Sequence, residues 1–391
     1  MSLYLRSSLA ALSQGDRKCM SFLDESHKVL KGIHVLCHYN ISYVIGQQFI
    51  PNQDINRHVL RGFPIDLSML FYSRRKGDDP IMGYMLAFIL FIACFLFGMT
   101  WLRTGLFNLA SDNIRRWLHY LTHTPFRGVL SGTVLTALIH SSSAVMVLTV
   151  GLASSGMIPF RQTIGIMLGS NIGTTFTLEM FTLNLNMLII PAAVVGTILL
   201  LFGSTNGRSL GMTLVGFSLI FTAIMGIQRL AEPLTHHPAV KGYMENMDRH
   251  LFLALLVGCL LTAIIQSSTV VTGVAMGFLA AGSIGIDTGI AVMLGSNVGT
   301  CITAIMASFG GGREAKLTAY AHVWLNVIGV GLFIPLIPLL TRGVQALASA
   351  GDMQLAHASV IFNLVCSLMV LPFASGFARF VERIHGPKGL E

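Results

Sequence analysis

Met167-Leu168-Gly169-Ser170-Asn171-Ile172-Gly173-Thr174 returns almost unchanged as Met293-Leu294-Gly295-Ser296-Asn297-Val298-Gly299-Thr300, 126 positions later (293 less 167). The same offset holds without a gap from Thr136 to Thr175 against Thr262 to Cys301, with 17 identities in those 40 positions. Ser141 falls on Ser267, Ser142 on Ser268, Gly151 on Gly277 and Gly156 on Gly282. Shared apolar composition does not place Ser, Asn, Gly and Thr in step twice, so the chain contains two copies of one unit.

Both copies lie in very apolar sequence. Of 391 residues 53% are hydrophobic and 11% charged, with mean hydropathy +0.70, whereas soluble domains carry about 25% charged residues. The apolar stretches around Phe88–Phe97, Ile189–Phe202, Leu210–Ile227 and Ala319–Leu340 suit a hydrocarbon core that takes about 20 helical residues to cross. The alternation of barrel strands is missing, which leaves helices as the spanning element. The expected fold is an all-α polytopic membrane protein, multi-pass in the cell membrane, with roughly eight to ten spans by apolar-run length.

The net charge of +8 does not point to nucleic acid, because the basic residues sit in short connectors such as Arg115-Arg116 and form no stripe interleaved with aromatics. Four of the six cysteines, Cys94, Cys259, Cys301 and Cys366, lie in apolar segments, and no two share a C-x-x-C spacing. Neither a disulfide framework nor a zinc site follows.

The expected organisation is a polar N-terminal extension at 1–81, a first transmembrane repeat at 82–230, a polar linker at 231–249, a second repeat at 250–380 and a short tail at 381–391. Residues 1–81 hold ten of the 25 basic residues and no membrane-length apolar run. They read as a small cytosolic extension, a disordered tail, or sequence upstream of a start at Met82 or Met85, the last two being favoured.

Each repeat carries two polar interruptions: a serine cluster, then a Gly-Ser-Asn-x-Gly-Thr block. Hydroxyls and amides in lipid need partners inside the protein or a wet cavity, and Gly frees the backbone to leave the helix there. Paired interruptions at matching places in two halves mark the binding site of a secondary transporter. A helix starting at the midplane turns unsatisfied N–H groups and a positive dipole end toward an anion. Unwound carbonyls with Gln, Asn and Thr oxygens suit Na+. Candidate anion ligands are Ser141, Ser142, Ser143, Asn171, Ser267, Ser268, Thr269 and Asn297; candidate Na+ ligands are Ser170, Thr174, Gln266, Ser296 and Thr300. The expected site contains no fixed membrane charge. Gly128-x-x-x-Gly132, Gly273-x-x-x-Gly277 and Gly285-x-x-x-Gly289 read as helix packing.

These residues resemble the type II sodium/phosphate cotransporters and their bacterial relatives, which carry a Gln-Ser-Ser-Ser motif once in each of two inverted repeats, followed by Gly-(Ser/Ala)-Asn-Ile-Gly-Thr. The counterparts are Gln266-Ser267-Ser268-Thr269 and the blocks Gly169–Thr174 and Gly295–Thr300, with further likeness at His322–Asn326 and His357–Asn363. The resemblance covers roughly residues 84 to 376. It implies two inverted repeats with re-entrant or broken helices, sodium-coupled symport of inorganic phosphate, Na+ as coupling ion, no other cofactor, and no enzyme activity. Two departures stand out. Repeat one has His140 before Ser141-Ser142-Ser143, which leaves proton coupling or pH sensing open beside a structural role. The C-terminal regulatory domain of many bacterial relatives is not found, so any regulation of that kind is expected from a separate protein.

Another oxyanion fits the same physics. An intramembrane serine hydrolase built on His140 and Ser141 fits poorly, since adjacent helical positions point about 100° apart and repeat two keeps the serines without the base. A channel would need a continuous pore ring, which the sequence does not show. Glu179, opposite Ile305 in repeat two, reads as a residue near a helix end in contact with water, and Asp287 as a helix N-terminal residue.

Overall fold

The computed structural model describes residues 81–120 and 124–386; the expected extension before Ile81 and the end of the tail lie outside the described residues. The described chain is all-helical: α1 Ile81–Tyr120, α2 Pro125–Ile139, α3 Ser142–Ser154, α4 Phe160–Phe181, α5 Asn186–Phe202, α6 Thr205–Thr235, α7 Pro238–Arg249, α8 Leu251–Ile265, α9 Ser268–Ala280, α10 Ile286–Gly299, α11 Cys301–Ser308, α12 Arg313–Phe333, α13 Ile337–Leu347, α14 Gly351–Val370 and α15 Ala374–His385. The expected boundary at 230 falls inside α6, the linker 231–249 contains α7, and α15 runs past 380.

Five helical stretches are long and apolar enough to cross a membrane, in α1, α6, α10–α11, α12–α13 and α14–α15; two bent pairs, α4 with α5 at 103° and α7 with α8 at 115°, raise the number to seven. Among the described residues this gives five to seven, against the eight to ten read from apolar-run length. At 13 to 15 residues, α2, α3 and α9 reach only about 20–23 Å, short of a hydrocarbon core about 30 Å thick. Large apolar side chains on the outer faces, such as Phe202, Phe252 and Ile264, are exposed, as lipid-facing residues are.

The repeat is present in the packing as well as in the letters. α2 lies on α4, and α8 lies on α10. A Cβ placed on Gly169 would overlap Val129 O and one on Gly295 would overlap Leu255 O; Gly132 meets Ile166 O, and Gly258 meets Val292 O. Gly173 faces Thr133 and Thr136, and Gly299 faces Cys259 and Thr262. Every one of these partners is displaced by the same 126 positions. This corrects the role given to the block glycines. α4 runs unbroken through Gly169 and Gly173, and α10 is interrupted only at Thr300 before α11, so these glycines bring two helix backbones together. Gly128 and Gly132 do the same against Gly165 and Ile166, as expected.

The two long helices that start after the serine-bearing segments are capped by distant carboxylates. Glu314 on α12 accepts from the Phe160 amide at 2.6 Å, and Asp248 on α7 accepts from the Gly285 amide at 3.1 Å. Asp287 sits in the first turn of α10 and accepts from Thr341 on α13.

Candidate functional site

The helix breaks come at the serine clusters, and the two breaks are alike. α2 ends at Ile139, His140 turns left-handed (φ 53°, ψ 35°), Ser141 is extended (φ −154°, ψ 100°), and α3 begins. α8 ends at Ile265, Gln266 turns left-handed (φ 59°, ψ 27°), Ser267 is extended (φ −148°, ψ 102°), and α9 begins. Among the described residues these two are the non-glycine positions with positive φ. Side chains other than Gly occupy that region at a cost of about 1–2 kcal/mol, so the same strain held twice points to a site that uses it.

Arg103 on α1 joins the breaks. Its Nε donates to the His140 carbonyl at 3.0 Å, and its Nη2 donates to Ser267 Oγ at 3.4 Å. The left-handed turn of repeat one and the N-cap serine of repeat two therefore meet on a single guanidinium. A site without fixed charge was expected, and Arg103 corrects that. At the same 126-position offset it falls on Arg229 of α6 (103 plus 126), outside the gapless stretch that begins at Thr136. The signal was nonetheless present, because Arg103 is the only charged residue between Ile81 and Ala110, and an isolated charge in an apolar run marks a functional position.

The breaks differ in what their side chains do. Ser141 Oγ accepts from the Ala144 amide at 3.2 Å and caps α3. Ser267 does not cap α9 with its side chain, and its hydroxyl faces Arg103 instead. His140 turns its ring away from Ser141: Nδ1 lies 2.9 Å from Thr177 Oγ1 on α4, with the Phe176 ring 6.1 Å away. That orientation does not fit a hydrolase relay. Gln266 is exposed, and its amide reaches Met306 Sδ at 3.6 Å. Ser142 and Ser143 are half-buried; Ser268 and Thr269 are buried.

Each Gly-Ser-Asn block contacts the broken helix of its own repeat. Ser170 Oγ accepts from Thr136 at 3.0 Å and reaches the Ser142 carbonyl at 3.5 Å. Ser296 Oγ lies 3.2 Å from Thr272 on α9 and donates to Met293 O at 2.7 Å. Thr174 donates to Ser170 O at 3.0 Å and Thr300 to Asn297 O at 2.6 Å, which leaves their oxygen lone pairs available. Asn171 is half-buried beside Ser170. Asn297 folds back onto Met293 O at 2.9 Å.

One twin pair is satisfied unequally. Thr136 donates to Ser170, whereas its counterpart Thr262, 0% exposed, has a hydroxyl with no hydrogen-bond partner among the described residues. A buried unpaired hydroxyl costs about 1–3 kcal/mol and needs an explanation at a site.

The sequence profile of the Na+/Pi-cotransporter family matches residues 94–229 and 224–356. YqeW of Bacillus subtilis is 39% identical over 301 residues, 77% of this chain and 98% of YqeW. YjbB of Escherichia coli, provisionally named for inorganic phosphate export, is 24% identical over 75% of this chain and 54% of its own length, so the chain spans about half of it. Sodium-dependent phosphate transport protein 2C of Rattus norvegicus is 31% identical over 129 residues, 32% of this chain and 21% of the rat protein. No solved structure matches the chain.

Proposed function

The chain belongs to the Na+/Pi-cotransporter family, and on that premise we propose that it is a secondary active transporter that carries inorganic phosphate inward with Na+, holding the anion between the two serine breaks. The observation that carries this reading is the Arg103 guanidinium spanning His140 O and Ser267 Oγ. Phosphate replaces the weaker Ser267 acceptor, taking a charge-assisted hydrogen bond from Arg103 and further ones from Ser267, Ser268 and Thr269 at the α9 N-terminus, where no side-chain cap competes.

Charge balance supports coupling. A phosphate dianion on one guanidinium leaves a net negative charge in a low-dielectric site, which costs several kcal/mol. One Na+ removes it. Repeat two has the better oxygen set for that ion: Gln266, Ser296, Thr300 and the unpartnered Thr262 hydroxyl. In repeat one the equivalent groups are engaged, Thr136 with Ser170 and His140 with Thr177.

The test is labelled phosphate uptake into proteoliposomes under an inward Na+ gradient, an inward proton gradient and neither, with a phosphate-loaded efflux arm for direction. Uptake stimulated by Na+ and competed by unlabelled phosphate is expected. Equal rates in all three conditions would overturn coupled transport, and competition by sulfate at equal concentration would reassign the oxyanion.

A further inference from the structure

α12 begins and α15 ends at one end of the molecule. Glu314 of α12 accepts from the first amide of α4, that of Phe160, and Arg161 of α4 pairs with Glu382 of α15 at 3.0 Å. A Cβ on Gly386 would sit 3.6 Å from Arg313 Nη2, which brings the first residue of α12 to the residue that follows α15. Further along α12, Tyr320 stacks on His385 with ring centroids 4.1 Å apart, and Trp324 Nε1 donates to His385 Nε2 at 3.0 Å.

The charges at this junction do not cancel. Arg313 and Lys316 on α12 and Arg379 and Arg383 on α15 are exposed, and none of the four has an ion pair among the described residues. The carboxylates of these two helices are engaged elsewhere, Glu314 with the Phe160 amide and Glu382 with Arg161. At the opposite end, where Asp248 meets Gly285, Asp287 meets Thr341 and Gly351 meets Leu279, the balance is reversed. There α7, α10, α13 and the start of α14 carry Lys241, Arg249 and Arg342 against Glu245, Asp248, Asp287 and Asp352.

The length of α14–α15 sets the depth of the junction. The two form one helical stretch of 35 residues through a short 3-10 turn at Leu371–Phe373, about 52 Å at 1.5 Å per residue, against a hydrocarbon core of about 30 Å. The excess puts the ends of the stretch in the headgroup layers. α15 is patterned for that boundary: Ala374, Ala378 and Val381 are buried, while Phe373, Phe380 and Ile384 are exposed beside Arg379 and Arg383. Outward apolar side chains suit acyl chains, and long basic side chains reach the headgroups. Tyr320 and Trp324 supply the aromatic residues of a membrane boundary.

We propose that the junction of α12 and α15 is a docking site for an anionic phospholipid. Its phosphodiester is held by Arg313, Lys316 and Arg383, and an acyl chain lies along Phe380 and Trp324, whose rings are 5.4 Å apart. The lipid supplies the negative charge that the two helices lack. The exposed phenylalanine row distinguishes it from a soluble anion, which has no chain to cover that row. Ser154, the last residue of α3, lies beside Gly311, so the junction is a full α3 length from the serine breaks, and the site does not depend on phosphate being the cargo.

The experiment reads lipid preference at Trp324. Trp101 and Trp117, the other two of the three tryptophans, are replaced by Phe, and quenching by brominated phosphatidylglycerol is compared with quenching by brominated phosphatidylcholine in mixed bilayers. With several basic groups facing the headgroup, the anionic lipid should associate at least about tenfold more tightly. One basic residue near an anionic surface contributes about fivefold. Arg313→Gln and Arg383→Gln should therefore each lower the preference about fivefold, and Lys241→Gln, at the opposite end, should leave it unchanged. Equal association of the two lipids, or a preference unmoved by both arginine variants, overturns the site. A preference lost to the same extent in Lys241→Gln overturns it too, since net charge alone would then account for the effect. Relief of quenching by millimolar inorganic phosphate would reassign the face to a soluble anion. If the tryptophan replacements do not fold, native mass spectrometry of the unmodified chain with an equimolar mixture of the two lipids makes the same comparison, and equal occupancy there overturns the proposal.

Discussion

Replacing Arg103 with Ala tests the centre of the site. The guanidinium makes one hydrogen bond to each break, at 3.0 Å and 3.4 Å, and with phosphate bound the acceptor becomes an anion. A hydrogen bond to a charged group contributes about 1.5–3 kcal/mol, and 1.4 kcal/mol is tenfold in affinity. Losing one such bond raises the half-saturating phosphate concentration about 10-fold, and the upper figure corresponds to about 150-fold. Arg103→Lys keeps the charge but not the fork that reaches two acceptors, so it should fall between wild type and Ala. The assay is initial uptake over a phosphate series at fixed Na+, pH and ionic strength, with melting of the phosphate-free protein as a control for lost contacts. Half-saturation within twofold of wild type in a correctly inserted Arg103→Ala protein would refute the reasoning.

The twin serines should respond differently. Ser141→Ala removes a helix cap worth about 1 kcal/mol and lowers thermal stability, while Ser267→Ala weakens phosphate affinity without losing a side-chain cap; equal effects on affinity and melting would contradict the asymmetry. His140→Gln should leave the pH profile of uptake unchanged, because the ring is held by Thr177; a flattened profile would give His140 a functional role. Thr262→Val should raise the melting temperature by removing an unpaired hydroxyl and raise the Na+ concentration needed for half-maximal uptake; unchanged Na+ activation would remove Thr262 from the cation site. Gly169→Ala and Gly295→Ala should each destabilise by about 1–3 kcal/mol through overpacking, whereas Gly151→Ala, with nothing within 4 Å, is tolerated; proteolysis or thermal unfolding of the three compares them directly.

The duplication was legible because its constraints are local and strict. A glycine facing a backbone carbonyl at 126-residue intervals admits no other side chain, so packing wrote itself into the letters. The location of the helix breaks was less so. Both the serine cluster and the glycine block look like breaks to a reader of composition, and only the left-handed backbone at His140 and Gln266 tells them apart. Arg103 was overlooked for a different reason. It lies 33 positions before the gapless stretch that begins at Thr136 (136 less 103), and one side chain serves both breaks. Span number read from apolar runs exceeds the five to seven among the described residues because α2, α3 and α9 are apolar enough to resemble spans but too short to cross. The Glu179–His357 contact joins residues 178 apart in sequence, and no periodicity links them.

Two equal half-sites would give the bound anion a symmetrical environment and leave nothing to distinguish the coupling ion from the substrate. The structure departs from symmetry at the residues where that distinction matters. Repeat one presents a carbonyl to Arg103, caps its own helix with Ser141 and ties His140 to Thr177, so its polar groups are largely engaged. Repeat two presents an uncapped helix start, an exposed Gln266 and a free Thr262 oxygen. An anion sharing Arg103 with His140 O has its remaining donors on the α9 side, and a cation placed there also neutralises the excess charge. Occupation of the second half by both ions would replace the Arg103–Ser267 contact, the hydrogen bond through which Arg103 reaches repeat two. On that view the loaded and empty carriers differ in what holds the breaks together, and Ser267→Ala should weaken the empty state as well as phosphate binding. Faster exchange of α9 amides in the phosphate-free variant than in phosphate-free wild type is the expected result, and identical exchange would separate the breaks energetically.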